Sequence, residues 1–340
     1  MKELIIHDNE AGQRLDKLLR KYLSEAPGSF IYKMLRKKNI VLNGKKATGN
    51  EHLRKGDSVK LFLADDTIAK FQAAGKTVEE NIKNTVKLDV IYEDQNVIFI
   101  NKPSGMLSQK AKETDVSVVE NVTAYLLESG QLTKENLQTF RPSICNRLDR
   151  NTSGLIVAGK SLAGLQQMGE LFKERTLKKY YLCIVKGKIT EPAHISGYLV
   201  KDEKTNRVSF SNGTSSKEAN GLLIETEYLP IAWNQEMTLL KVHLITGRTH
   251  QIRVHMSSTG HPLLGDSLYE KNITEKQSPN KDADIAPVSC LQHPFKRAAL
   301  HAWRVSFQHP FRDEMLLLEA PLPFDFRELV SLSGSDLLSI

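Results

Sequence analysis

Residues 145–158 read Cys145-Asn146-Arg147-Leu148-Asp149-Arg150-Asn151-Thr152-Ser153-Gly154-Leu155-Ile156-Val157-Ala158, a polar run that turns directly into an apolar one. Four apolar residues entered through Asn, Thr, Ser and Gly mark a buried strand preceded by a turn. Further strand-like runs lie at 88–92, 97–100, 180–185, 222–228, 239–244 and 299–305, and the first two of these are joined by a turn at Glu93-Asp94-Gln95-Asn96. Helical periodicity between them is confined mainly to 118–127 and 162–172. Strands that outnumber helices at hairpin-like spacing predict an α+β domain around a largely antiparallel or mixed sheet.

The 340 residues, 40% hydrophobic and 26% charged, have the composition of a soluble globular protein, with room for one large domain and one small one. The formal net charge is +7, and its distribution is uneven. Residues 1–60 carry 14 basic and 7 acidic side chains, an excess equal to that of the whole chain, so the other 280 residues, with 33 of each sign, are neutral. A cationic surface confined to one module points to a polyanion partner or to a solvated basic face. Cys145, Cys183 and Cys290 are odd in number and lack CxxC spacing, which predicts a reducing compartment with neither a disulfide framework nor a thiolate metal site. Acidic residues appear almost at once after Met1, and no apolar run approaches the roughly 18 residues that span a bilayer. The expectation is a cytoplasmic protein.

Near the N-terminus, Leu15, Leu18, Leu19, Tyr22 and Leu23 form the apolar stripe of a short helix. After Pro27-Gly28, Ser29 is the expected N-cap of a second helix, with Ile31, Met34 and Leu35 inward and Lys33, Arg36 and Lys37 outward. Lys38 extends the basic cluster. Asn43-Gly44 predicts a tight hairpin turn, and Val59, Leu61 and Leu63 alternate as a strand. Residues 65–87 read as a linker or a short peripheral helix. Residues 271–298, rich in Lys, Asn, Asp, Pro and Ser, read as a surface loop or insertion. The near-repeat of 292–296 (QHPFK) and 308–312 (QHPFR) marks two loop ends. The segment 201–217, with Lys204, Arg207 and Lys217, reads as a solvated hairpin or a further loop facing a polyanion.

Two constellations carry candidate chemistry. Asp149 lies between Arg147 and Arg150 in sequence, and a guanidinium close in space would favour its ionised form, as a nucleophile or base requires. Asp149, Thr152, Ser153 and Gly154 also suit an Asx-type turn with no chemistry at all. In the second constellation, 244–255 (LITGRTHQIRVH), His250 and His255 invite a metal-site reading. A five-residue separation places them on opposite faces of a strand, or about 140° apart on a helix, so no metal site is expected. Arg248 and Arg253 are better candidates, because each can fork onto a carboxylate or phosphate.

Residues 14–63 resemble, along their length, the S4 family of RNA-binding modules, in which the basic second helix lies against RNA. The motifs RLDRNTSGL (147–155) and TGRTHQIRVHMSSTGHPLLGD (246–266) closely resemble those of the RluA-type pseudouridine synthases. Residues 101–106 (NKPSGM), 179–187 (KYYLCIVKG) and 299–302 (ALHA) are similar to that family's remaining motifs, in the expected order. The branch they look most like is the RluC/RluD type, acting on large-subunit ribosomal RNA. The resemblance implies a cofactor-free, monomeric enzyme that isomerises uridine in RNA, with neither a metal nor a membrane. It implies an S4-like module at 1–64, a linker at 65–87, a catalytic domain at 88–327 and a tail at 328–340.

Carried onto positions, the resemblance makes Asp149 the catalytic aspartate, Tyr181 rather than Tyr180 the active-site tyrosine, and Arg253 the partner that holds Asp149 ionised. The choice of Tyr181 follows its spacing to Lys179 and Cys183. Arg147 would replace the flipped uridine in the RNA, and Lys33, Arg36, Lys37, Lys38 and Arg248 would contact RNA. The chain has Asn146 where the family commonly has His, so that histidine's role does not transfer. A tRNA or dual-specificity isomerase and a noncatalytic ribosome-assembly factor are the competing expectations.

Overall fold

The computed structural model describes residues 1–72, 86–112, 114–201, 208–211, 221–270, 295 and 297–332. In chain order the described elements are β1 (Lys2–Ile5), α1 (Leu15–Tyr22), α2 (Gly28–Arg36), β2 (Ile40–Leu42), β3 (Lys45–Lys46), β4 (Ser58–Leu61), α3 (Asp65–Phe71), β5 (Val90–Glu93) and β6 (Val97–Lys102). There follow α4 (Val118–Glu128), α5 (Asn136–Thr139), β7 (Ser143–Ile144), β8 (Ser153–Gly159), α6 (Leu162–Lys173), β9 (Lys178–Lys186), β10 (Ala193–Lys201) and β11 (Val208–Ser211). The last are β12 (Leu222–Trp233), β13 (Met237–Leu244), α7 (Gln251–Ser258), β14 (Leu300–Gln308), β15 (Met315–Glu319) and α8 (Phe324–Leu332). The α+β class expected from the sequence is what these elements form. They fall into two units, one of 1–100, 107–147 and 157–170, the other of 101–106, 148–156 and 171–340.

The first unit opens with a four-stranded antiparallel sheet of order β1-β4-β2-β3. Asn43 and Gly44 both take positive φ, 49° and 73°, which gives the two-residue turn a twist matching that of the strands it joins. Leu15, Leu18, Leu19, Ile31 and Leu35 close over the sheet with Ile40, Val59 and Leu61 in one buried cluster. The apolar faces of α1 and α2 therefore lie where periodicity places them, and Lys33, Arg36, Lys37 and Lys38 are left exposed.

The start of α2 differs from expectation. The helix begins at Gly28, with Pro27 rather than Ser29 in the capping position and no side-chain cap. Pro27 supplies a fixed backbone and its carbonyl, which accepts from the amides of Phe30 and Ile31, so a capping hydroxyl is dispensable. At the other end Lys38 turns left-handed at φ 59°, and the amides of Lys38 and Asn39 close onto Leu35 and Met34. Residues 65–71 take the helical one of the two forms expected for 65–87.

Further along the first unit, Asp94 turns β5 into β6 by accepting from the amides of Asn96 and Val97. Ser117 and Glu120 form a reciprocal capping box at the start of α4. Glu10, almost wholly buried, accepts from the Thr139 hydroxyl at 2.7 Å and so ties the N-terminal segment to α5.

The second unit is built on strands ordered β11-β10-β12-β13-β9-β14-β8, with β15 added to β14. All these pairings are antiparallel except β14 with β8, which is parallel through His301↔Ser153 and Ala302↔Gly154. The register of β12 on β13 shifts between Pro230 and Ala232, where Pro230 has no N–H to give the ladder. Leu182, Ile184, Leu239, Leu264, Trp303 and Phe326 fill one face of the sheet. The helix α7 settles the open question at 251–255, which is not a strand. Most of 271–298, together with Lys204, Arg207 and Lys217, lies outside the described residues.

Gly154 marks the tightest point of this sheet. Its φ is 110°, and a Cβ there would stand 2.1 Å from the carbonyl oxygen of Ala302. Replacing Gly154 with Ala is therefore expected to destabilise the protein by about 3 kcal/mol or more, because neither backbone can retreat without breaking the ladder. Urea unfolding measures this. A loss below about 1 kcal/mol would show that the two strands separate freely at this point.

Candidate active site

The loop that carries Asp149 is anchored by a buried cation. Lys102, at the end of β6, is fully buried, and its Nζ donates to the carbonyls of Pro103 (2.9 Å), Met106 (2.9 Å) and Arg150 (3.1 Å). Burial and the Arg297 guanidinium draw the Lys102 ammonium down to about 7, against the pull of Asp149. Three more bonds bind the same two segments: the Gly105 amide to the Arg150 carbonyl at 2.9 Å, Arg150 Nε to the Gly105 carbonyl at 3.0 Å, and Ser104 Oγ to the Asn151 carbonyl at 3.1 Å. The Thr152 amide donates back to the Asp149 carbonyl at 3.0 Å. The turn read in the sequence is thus present, and the carboxylate of Asp149 projects from it instead of being consumed by it.

The cation beside Asp149 is neither of its sequence neighbours. Arg150 is committed to Gly105, and Arg147, exposed, belongs to the first unit. Arg253, from the first turn of α7, donates from Nη1 to Asp149 Oδ2 at 3.1 Å. Its other edge forks onto Asp266, Nε to Oδ2 at 2.6 Å and Nη2 to Oδ1 at 2.8 Å. Burial opposes the charge, but the Asp266 and Asp149 carboxylates overcome it and hold the Arg253 guanidinium above its ordinary value. Tyr269 lies under the guanidinium at 5.0 Å and hydrogen-bonds His250 Nδ1 at 2.9 Å. His250, left-handed at φ 55° just before α7, presents Nε2 at 3.7 Å from Asp149 Oδ2. Burial, with Arg253 adding to it, holds His250 below its ordinary value despite the two carboxylates.

Alternation along β9 separates the two tyrosines. Tyr180 stacks on His243 at 5.0 Å and packs with the Leu182 and Ile184 face. Tyr181 lies on the other face, paired in register with Val242 and Ala302 and nearly buried. Burial, and after it the negative charge of Asp149, push its hydroxyl well above the usual range. Asp149, Arg253 and Tyr181 are therefore brought together. The loop leading into α7 is held by Gln251, whose Oε1 accepts from Thr246 Oγ1 and from the Arg248 amide, while its Nε2 donates to the Glu225 carbonyl. Arg248 itself is exposed. His255 turns to Thr226 Oγ1, away from His250, and among the described residues no group of three metal-capable side chains occurs.

Lys102, Asp266 and Tyr269 are the members of this site to which sequence reading gave no role. All but Tyr269 stand inside quoted motifs, yet their contacts depend on carbonyls and a guanidinium that no linear spacing reveals.

The RNA pseudouridylate synthase family model matches residues 96–258. The chain is 31% identical over 330 residues to ribosomal large subunit pseudouridine synthase D of Nitrosomonas europaea, spanning 96% of this chain and 86% of that one. It is 29% identical over 326 residues to ribosomal large subunit pseudouridine synthase C of Vibrio parahaemolyticus, spanning 93% and 91%. Among solved structures, human RNA pseudouridylate synthase domain containing 4 superposes with a TM-score of 0.55 at 20% identity, over 78% of this chain and 98% of that one. These similarities define an isomerase that acts on RNA. The chain belongs to the RluA-type RNA pseudouridine synthases.

The anchoring of the Asp149 loop can be tested through its buried cation. Lys102→Met keeps the bulk and removes all three bonds, and it is expected to lower stability by about 2–4 kcal/mol by stranding buried carbonyls. Urea titration checks it. A change below about 0.5 kcal/mol would show that the loop is held without Lys102.

Proposed function

We propose that this enzyme converts uridine to pseudouridine in large-subunit ribosomal RNA, with Asp149 as its catalytic carboxylate. The observation that carries the reading is one carboxylate, 31% exposed, that receives a single hydrogen bond from a largely enclosed arginine beside a buried tyrosine. The relatives named above supply the substrate class. Isomerisation breaks the bond from ribose C1′ to uracil N1 and forms one from C1′ to C5. The C5 proton is lost and N1 gains one, so nothing else enters or leaves. Two carboxylates flank the bond in most glycoside hydrolases. Here the departing uracil is a delocalised anion that must stay bound, and one aspartate suffices. Asp149 has three alternative routes, attack at C1′, attack at uracil C6, or removal of the C2′ proton, and in each of them water must be excluded.

A uridine in folded RNA has to leave its stack, at a cost of a few kcal/mol, and be caught by another surface. In this reading Tyr181 receives the base, Arg147 fills the space it leaves, and Arg248 contacts the strand. Residues 1–64 form an S4-like module, joined by a linker at 65–87 to a catalytic domain at 88–327 that precedes a tail at 328–340. The exposed cations Lys33, Arg36, Lys37 and Lys38 lie along and just beyond α2, a surface suited to phosphate contacts that give affinity without reading sequence. In this reading the enzyme is a monomer, and cytoplasm is the compartment this substrate implies. No described helix is long and apolar enough to cross a membrane.

Carbodiimide mapping of pseudouridine in RNA from cells with the wild-type protein, without it, or with Asp149→Asn tests the reaction and the substrate together. Sites lost from large-subunit ribosomal RNA in both defective strains are expected. Loss confined to tRNA would move the substrate, and no loss at all would favour a noncatalytic RNA-binding protein. The basic face is tested separately by Lys33→Glu, Arg36→Glu and Lys37→Glu combined. The slope of log affinity against log salt should shrink by about 2–3, because three cations no longer neutralise phosphates. An unchanged slope would remove α2 from the interface.

A further inference from the structure

Asp266 has no part in the chemistry above, and RNA cannot reach it. Its side chain is 1% exposed. Yet it takes the larger share of Arg253, two hydrogen bonds of 2.6 and 2.8 Å through the Nε–Nη2 edge, and leaves Asp149 one bond of 3.1 Å from Nη1. One guanidinium thus lies between two carboxylates that it serves unequally. A carboxylate forked onto arginine has both oxygens committed and its basicity lowered, whereas a singly bonded one keeps lone pairs for reaction.

We propose that Asp266 is a positioning residue that occupies the forked edge of Arg253, so that Asp149 is oriented by one hydrogen bond and keeps its reactivity toward the nucleotide. The proposal rests on Asp149 being the reacting carboxylate. The backbone prevents Asp266 from drifting away. Gly265 takes φ 75°, and a Cβ there would stand 2.3 Å from the Arg297 carbonyl oxygen. Leu264 donates to Ile184 and accepts from the Ala299 amide, pinning the segment on both sides. Tyr269, three residues on, closes the lower face of the same guanidinium. Without Asp266 the forked edge is free to rotate onto Asp149, and the nearby negative charge that offsets Arg253 is gone.

The groups that face Asp149 are Arg253 and His250 at α7, Tyr181 on β9 and Lys102 at the end of β6, with Tyr269 and Asp266 behind Arg253. Asp266→Asn changes the charge of one of these and retains an acceptor for Arg253. Single-turnover rates and RNA affinity are measured from about pH 3 to 9 on a transcript carrying a mapped target uridine. Wild type, Asp149→Asn, Asp266→Asn, Arg253→Lys and the last two combined are compared. Asp266→Asn is expected to bind RNA within roughly twofold of wild type and to react about tenfold to hundredfold more slowly. Its acid limb should move to lower pH, because removing a negative charge leaves more of the Arg253 charge acting on Asp149. In the Arg253→Lys background the same change should cost less than about threefold, since lysine has no forked edge.

A wild-type rate in Asp266→Asn overturns the proposal. So does a loss equal at every pH that adds fully to that of Arg253→Lys, which a merely structural residue would give. If Asp266→Asn does not fold, Asp266→Glu keeps the charge and displaces the fork: a slower reaction with an unmoved acid limb supports the proposal, and a wild-type rate overturns it. An active Asp149→Asn overturns the underlying reading and this proposal with it. An inert Asp149→Asn beside a wild-type-like Asp266→Asn overturns the proposal alone.

Discussion

The guanidinium of Arg253 is the element around which the site is arranged. It is enclosed, it bonds two carboxylates from segments 104 and 13 residues away, and an aromatic ring lies beneath it. A buried cation in such a place is stable only if its charge is answered, and here Asp266 answers it without access to solvent. Asp149 can then remain partly exposed. The arrangement of α7 follows from the same need, since Gln251 and His250 fix the turn that delivers Arg253 from the first turn of the helix.

The strands that were legible in the sequence are mostly those with short unbroken apolar runs entered through turn residues, as at 97–100 and 155–158, whereas β1, β7, β10 and β11 lack such runs and were not read. The two N-terminal helices were legible because a single stripe, such as Leu15, Leu18, Leu19 and Tyr22, must face a core. The α7 helix was not, since its eight residues mix buried Gln251 and His255 with Ile252 and Val254 and show no stripe. β15 escaped because its exposed face carries Met315 and Leu317, so no polar alternation marks it. At the candidate site the motif residues Asp149, Arg253 and Tyr181 do converge. Their supports were hidden, because Lys102 works through backbone carbonyls, which leave no trace in side-chain identity. Asp149 also shows where a local rule misleads. Its flanking arginines are the obvious partners, and neither supplies the bond.

The N-terminal charge excess is a different kind of signal. It survives as an exposed row on α2 and just past its end, where Lys38 closes the helix in a left-handed turn. Charge alone left open a polyanion partner or a solvated face. The family now established makes RNA the relevant polyanion, and the salt dependence of binding becomes the measurable quantity.

The distance along the chain between Asp149 and its partners has a consequence for biogenesis. Synthesis runs from the N-terminus, and domains form as their residues become available. When the Asp149 loop has emerged, the strand that pairs in parallel with β8 is still about 150 residues away, and neither Arg253 nor Asp266 exists. A nascent or prematurely ended chain can present its basic N-terminal face to nucleic acid well before it owns an assembled reactive centre. If that face binds RNA as proposed, affinity is acquired early and reactivity late, and fragments of this protein would act as competitors of the full-length enzyme and not as weak versions of it.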